Sequence, residues 1–174
     1  SCRYSSNPEN GYSSMSSELR SLSIGQSPTR LLFILIALLS VSFSLTNVSS
    51  CGTLATANEV YVLTQNISSS SGCLALNANN ITVDCNGYSI NGPGWSGELP
   101  FVPTEGILTG SKTNITLKNC IIKNYTRGIY LSGWSTFSTF SNISIIGSSN
   151  ADYCIIVRSY SNNNVFSNIT VSNC

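Results

Sequence analysis

The chain has 174 residues, of which 9% are charged, and its formal net charge is +1. A typical soluble domain carries roughly 25% charged residues, so Ser, Thr and Asn supply the polarity here. With no His and a near-neutral balance, nothing favours nucleic acid or an anionic membrane surface as a partner.

Residues 1–30 read as disordered or upstream sequence ending in a basic n-region; Met15 is the only Met, and Arg20 and Arg30 precede the first apolar run. That run, "RLLFILIALLSVSFSL" (Arg30 to Leu45), extends to Val48 at most. A membrane span wants about 20 apolar residues. A basic flank, a short apolar stretch and small polar residues after it are the layout of a secretory signal, with an uncleaved N-terminal anchor as the other reading of residues 31–48. Membrane contact is expected through this segment alone, and the rest of the protein is expected outside the cell or at its surface.

Seven Cys are present, six of them from Cys51 onward. After a secretory signal an even set favours disulfides. There is no Cys-x-x-Cys pair and no His, so neither a zinc site nor any other metal or cofactor site is read.

From Cys51 a repeat begins. "NNITV", "TNITL", "SNISI" and "SNITV" place Ile81, Ile115, Ile143 and Ile169 at spacings of 34, 28 and 26. Two residues on stand Val83, Leu117, Ile145 and Val171, with Thr82, Thr116, Ser144 and Thr170 between. This in–out–in alternation is that of a half-buried strand. A second strand repeats as "GCLAL", "GILTG", "GIYLS" and "CIIVR", which puts Cys73, Ile107, Ile129 and Ile155 in one column. The last two repeats match without a gap at an offset of 26: Trp134 goes to Tyr160, Phe140 to Phe166 and Ile143 to Ile169. A third short strand is read at Tyr88–Ile90 and Cys120–Asn124. Each repeat is therefore three short strands bounded by Gly, Asn and Ser, with no helical periodicity beyond Leu45. An antiparallel sandwich has similar strands, but identical residue classes kept in column point to stacked coils that bury a common core.

The Gly-Ile-x-Leu run followed by Asn-Ile-Thr-Leu-x-Asn resembles the right-handed parallel β-helix repeat of pectin-lyase-like proteins. "CGTL...YVLTQNISSSSGCLALNANNITVDCNGYSI" is similar to the first coil of secreted NosD-like and carbohydrate-binding β-helix proteins. The resemblance covers residues 51–174 and implies an all-β solenoid of about four coils. On such a solenoid adjacent coils lie about 4.8 Å apart, and a disulfide needs Cα atoms within about 7 Å. Cys85 and Cys120, one coil apart and within one position of a common column, form the favoured bridge. Cys51 and Cys73 are placed to pin the N-terminal end. Cys154 and Cys174 bond only if a turn brings them together. Each of these Cys also suits a small buried site in the stack.

The resemblance further implies how relatives cut polysaccharide: lyases through clustered acids, calcium and a basic proton acceptor, hydrolases through Asp residues on adjacent coils. Here Asp84 and Asp152 are the only Asp residues after the signal, and they share no column. No catalytic residue is carried over, and Asp84 in Asp-Cys-Asn-Gly reads as a turn residue. The insertion "NGPGWSGELPFVPTE" offers Trp95, Glu98, Phe101 and Glu105 as a loop that either stacks on a sugar or covers the core. Trp134 over Tyr160 and Phe140 over Phe166 read as aromatic ladders, with an exposed Trp134–Tyr160 pair also suited to a glycan.

The expected function is a secreted or cell-surface module with a structural, adhesive or glycan-binding role, its partner a polysaccharide or surface glycan. The alternative is the N-terminal portion of a polysaccharide lyase or glycoside hydrolase, since the repeat stops at Cys174 with no capping segment in view. Of seven Asn-x-Ser/Thr sites, four (Asn80, Asn114, Asn142, Asn168) sit in the repeat, where inward, laddered Asn residues are expected. Asn66 and Asn124, outside that motif, are the better glycan acceptors.

Overall fold

Short alternating runs closed by Asn, Gly or Ser become strands, and among the described residues no strand exceeds eight residues. The computed structural model describes residues 44–94, 103–148 and 153–174, which hold thirteen β-strands and no helix. In chain order these are β1 (Ser44–Val48), β2 (Gly52–Leu54), β3 (Glu59–Leu63), β4 (Ile67–Ser68), β5 (Leu74–Leu76), β6 (Thr82–Asp84) and β7 (Ser89–Asn91). They continue as β8 (Glu105–Gly110), β9 (Thr116–Lys123), β10 (Arg127–Ser132), β11 (Thr139–Ile146), β12 (Tyr153–Val157) and β13 (Val165–Ser172).

Every pairing is parallel. One sheet runs β1-β3-β6-β9-β11-β13, with β4 on β7 and β7 on β9; the other runs β12-β10-β8-β5-β2. The chain thus passes from sheet to sheet and returns each time beside its previous pass, a path compatible with a parallel β-helix. Residues 116–118 of β9 pair with β6 and residues 121–123 with β7, so the first sheet has two faces joined at Asn119, whose backbone is left-handed at φ 57°. The three-strand unit read from the sequence is this cross-section.

Inward side chains form columns along the stack. Val83, Leu117 and Phe140 are one; Ile90, Ile122 and Ile145 another; Leu76, Thr109 and Leu131 a third, all fully buried. Full burial of a Leu, Ile or Phe side chain stabilises by about 1.5–3 kcal/mol, so these columns are the main cohesive force. The glycines that open β8 and β10 let the second sheet close on this core. A Cβ on Gly128 would lie 2.6 Å from the Cys154 carbonyl oxygen and 2.6 Å from Ile145 Cγ2, and one on Gly106 would lie 2.7 Å from the Gly128 oxygen.

Three bridges staple the stack: Cys51–Cys73, Cys85–Cys120 and Cys154–Cys174, with Cα atoms 4.6, 4.8 and 5.5 Å apart. The favoured Cys85–Cys120 pair is present, Cys51 and Cys73 pair with each other, and Cys154 does reach Cys174. Three disulfides are consistent with an oxidising, extracellular setting.

The register corrects the sequence reading in four places. Ile143 pairs with Cys120 and Phe140 with Leu117, an offset of 23, so Ile143 does not share a column with Ile115. The four Asn-Ile motifs therefore occupy two columns. In one, Asn114 Nδ2 donates to Asn80 Oδ1 (2.8 Å) and Asn80 Nδ2 to Asn58 Oδ1 (3.0 Å). In the other, Asn168 donates to Asn142 (2.8 Å), Asn142 to Asn119 (3.3 Å) and Asn119 to Asp84 (2.9 Å). Both corners need a left-handed residue, then an inward apolar one, so both select the same tetrapeptide. Secondly, these ladders lie outside the core: Asn80, Asn114, Asn142 and Asn168 are exposed. Thirdly, Leu74, not Cys73, stands opposite Ile107, because Gly72 aligns with Glu105. Lastly, Ser44–Val48 is strand β1, paired with β3, so β structure begins ahead of Cys51. The apolar run up to residue 43 lies outside the described residues. The offset of 26 between the last two layers holds throughout.

Candidate functional site

The turns that lead from β10 to β11 and from β12 to β13, residues 133–138 and 159–164, stack on each other. Their inner side is polar. Ser135 Oγ lies 3.0 Å from Thr109 Oγ1, and the Ser135 N–H donates to Ser161 Oγ at 3.2 Å. Ser138 Oγ accepts the Ile115 N–H at 3.1 Å, and Asn164 Oδ1 accepts the Ser138 N–H at 3.0 Å. Asn164 Nδ2 donates to the Ser135 carbonyl at 2.7 Å. These bonds satisfy backbone groups that would otherwise be stranded in the core.

The outer side is aromatic. Trp134 and Tyr160 stack with ring centroids 4.6 Å apart and planes 17° apart. They stay 62% and 71% exposed, and Phe137 from the same turn as Trp134 is 64% exposed. All three have left-handed backbones, with φ of 48°, 59° and 55° for Trp134, Tyr160 and Phe137. For a residue other than Gly, Asn or Asp this costs about 1–2 kcal/mol, and such strain collects where a surface is used. The Trp134 N–H donates to the Ser159 carbonyl at 2.8 Å and the Phe137 N–H to the Asn162 carbonyl at 3.3 Å, so neighbouring turns hold one another. Arg158 lies just before the second turn, 5.9 Å from the Tyr130 ring centroid. The second aromatic pair, Phe140 and Phe166, also stacks, at 4.8 Å, but Phe140 is fully buried and serves the core.

Of the residues singled out from the sequence, Trp134 and Tyr160 are thus brought together. Glu105 is set apart at the N-terminal end of β8, where its carboxylate meets Arg127 at 3.1 Å, whereas Trp134 follows the C-terminal end of β10. It borders a cleft of about 430 Å³ beside the Cys51–Cys73 bridge. Trp95, Glu98 and Phe101 lie outside the described residues, as does Asp152. Phe137 was not singled out. The signal for it was the offset of 23, which places it in the column of Asn114.

Asp84 is a structural carboxylate. It ends β6, accepts the Asn86 N–H at 2.9 Å and the Asn119 amide at 2.9 Å, and pairs with Lys118 at 3.0 Å. Burial works to raise its pKa, but the hydrogen bonds from Asn119, Asn86 and Lys118, with the Lys118 charge, outweigh it and hold the carboxyl below its ordinary value. Among the described residues, no group of three or more Cys, Asp or Glu is placed to hold a metal ion.

A second groove, of about 320 Å³, follows the Asn119–Asn142–Asn168 ladder, with Ile121, Ser144 and Thr170 on its wall. Asn66 and Asn124 are both exposed; Asn66 Oδ1 accepts the Ser89 N–H at 2.8 Å. Comparison of the chain with protein-family models, with curated proteins and with solved structures finds no match.

Proposed function

We propose that the chain is a right-handed parallel β-helix of the pectin-lyase-like kind, secreted or held at the cell surface, and that it binds glycan through the turn bearing Trp134 and Tyr160. The observation that carries this reading is the exposed aromatic stack, kept in a costly left-handed backbone above buried polar rungs. Sugar C–H faces pack on aromatic rings as apolar surface, and their hydroxyls need donors and acceptors close by. The Tyr160 hydroxyl and the Trp134 indole N–H supply them, and Arg158 stands two residues before Tyr160. A rigid layered scaffold presenting a binding turn fits a surface module. Asn66 and Asn124 are the acceptors we favour for N-linked glycan, since their side-chain nitrogens stand outside both ladders.

The test is a glycan array probed with the disulfide-bonded chain and with a Trp134→Ala/Tyr160→Ala variant. The proposal expects discrete wild-type signals that the variant loses. Equal signals from both proteins, or none from the wild type, contradict it.

A further inference from the structure

The column that contains Phe137 changes its chemistry abruptly. Stacked layers place Asn58, Asn80, Asn114, Phe137 and Asn163 one above another, through the pairings of Val60 with Thr82, Thr82 with Thr116, Thr116 with Thr139 and Thr139 with Val165. All five have left-handed backbones, φ 55–61° being the range that this corner imposes on its asparagines and Phe137 sitting at 55°. In the first three layers the side chain is Asn and the amides form a ladder. At Phe137 the ladder stops. Asn163 does not resume it, its Nδ2 turning to Asn162 Oδ1 at 3.4 Å.

The inward neighbour changes at the same layer. Ile81 and Ile115 are fully buried apolar residues; Ser138 and Asn164 take their places, Ser138 bonding to the layers on either side and Asn164 bonding back to Ser138 and Ser135. Polar groups have moved inside and an aromatic ring has moved outside. Stability alone gives no reason for this exchange, because the Asn-Ile pair already satisfies the corner in the two layers directly beneath, as Asn80-Ile81 and Asn114-Ile115. It puts an apolar ring on the surface, in the backbone conformation least suited to it, and on the same turn as Trp134.

We infer that Phe137 is a third ligand-contacting residue of the aromatic turn, extending the Trp134–Tyr160 stack so that the site takes an oligosaccharide instead of a single sugar. This rests on the glycan-binding reading above. Trp134 and Phe137 leave one turn three positions apart, on the outside of a segment fixed by the Ser135 and Ser138 hydrogen bonds. The ligand is a hydroxyl-rich chain with apolar ring faces.

Three variants of the full disulfide-bonded chain test this: Phe137→Asn, Phe137→Ala and Trp134→Ala/Tyr160→Ala. The probes are the hexasaccharides of glucose, N-acetylglucosamine and galacturonic acid, with the matching monosaccharides, titrated calorimetrically alongside thermal unfolding. The inference expects Phe137→Asn to bind hexasaccharide about tenfold more weakly, the loss of one aromatic contact, with monosaccharide binding unchanged. Its unfolding midpoint should exceed that of Phe137→Ala, since Asn suits both the backbone and the column. If Phe137→Asn binds hexasaccharide as the wild type does while Trp134→Ala/Tyr160→Ala does not, the inference fails and the aromatic stack stands. Full binding by Trp134→Ala/Tyr160→Ala, or no binding of any probe by the wild type, overturns both.

Discussion

Asn142 sits at the middle of the second ladder, and its removal tests which corner the motif occupies. Asn142→Ala loses the bond donated to Asn119 at 3.3 Å and the bond accepted from Asn168 at 2.8 Å. Both are exposed, so each falls at the weak end of the range, about 0.5 kcal/mol. Ala at φ 53° adds about 1 kcal/mol of backbone strain. The expected destabilisation is about 2 kcal/mol, read as a lower urea midpoint at unchanged slope. Asn142→Gly, which tolerates the backbone, should recover about 1 kcal/mol of it. Double-mutant cycles then locate the partners. Asn142 should couple to Asn168 and to Asn119 by about 0.5 kcal/mol each, and to Asn114 not at all, because Asn114 belongs to the other ladder. Measurable coupling of Asn142 to Asn114 with none to Asn119 and Asn168 would refute the register and the two-ladder account built on it.

Gly128→Ala should destabilise by about 1–3 kcal/mol through overpacking against Cys154 and Ile145, whereas Gly110→Ala, whose nearest neighbour would be 3.7 Å away, should change the thermal midpoint little. Because the Asp84 carboxyl is held below its ordinary value of 3.8, its contribution is complete above that pH and is lost as pH falls through the depressed value. Urea titrations of wild type and Asp84→Asn should therefore converge in strong acid, with a gap near neutrality of about 1 kcal/mol or less for so exposed a pair. Replacing Cys85 and Cys120 with Ala opens a cross-link with a sequence separation of 35, so unfolding should cost about 4 kcal/mol less by the loop-entropy estimate. An unchanged urea midpoint would mean that the bridge adds nothing to the stack.

Much of the layered fold was legible because its rule is local. Apolar residues at alternate positions, with Asn or Gly at corners, recur on every pass, and the gapless match of the last two passes gave Trp134 over Tyr160 and Phe140 over Phe166 directly. The corners were harder. Asn114 and Asn119 stand at successive bends of one pass, and each is followed by an inward residue and then an outward one, so "NITL" and "NCII" compete as partners for "NISI". Nothing in the tetrapeptide distinguishes them; only strand pairing does. Gly72 misled for a related reason. It resembles Gly106 and Gly128, yet a Cβ there would meet its neighbour at 3.4 Å, an ordinary contact, so it does not mark the same position. Ser44–Val48 was hidden because "SLTNV" continues an apolar run without a break. Phe137 was hidden because aligning Ile143 with Ile115 put it opposite no Asn at all. Half of the candidate site was therefore visible as an aromatic pair. The other half became visible only when the register placed an aromatic ring in a column of asparagines.

The most direct test of glycan binding at this turn uses Trp134 as its own reporter. The chain has two Trp residues, Trp95 and Trp134, so Trp95→Phe leaves Trp134 alone. Titrating this variant with the strongest-binding oligosaccharide from the array should give a saturable change in Trp134 emission that tracks the calorimetric binding curve and disappears with Tyr160→Ala. Calorimetric saturation with no change in Trp134 emission would place the ligand elsewhere and contradict the account.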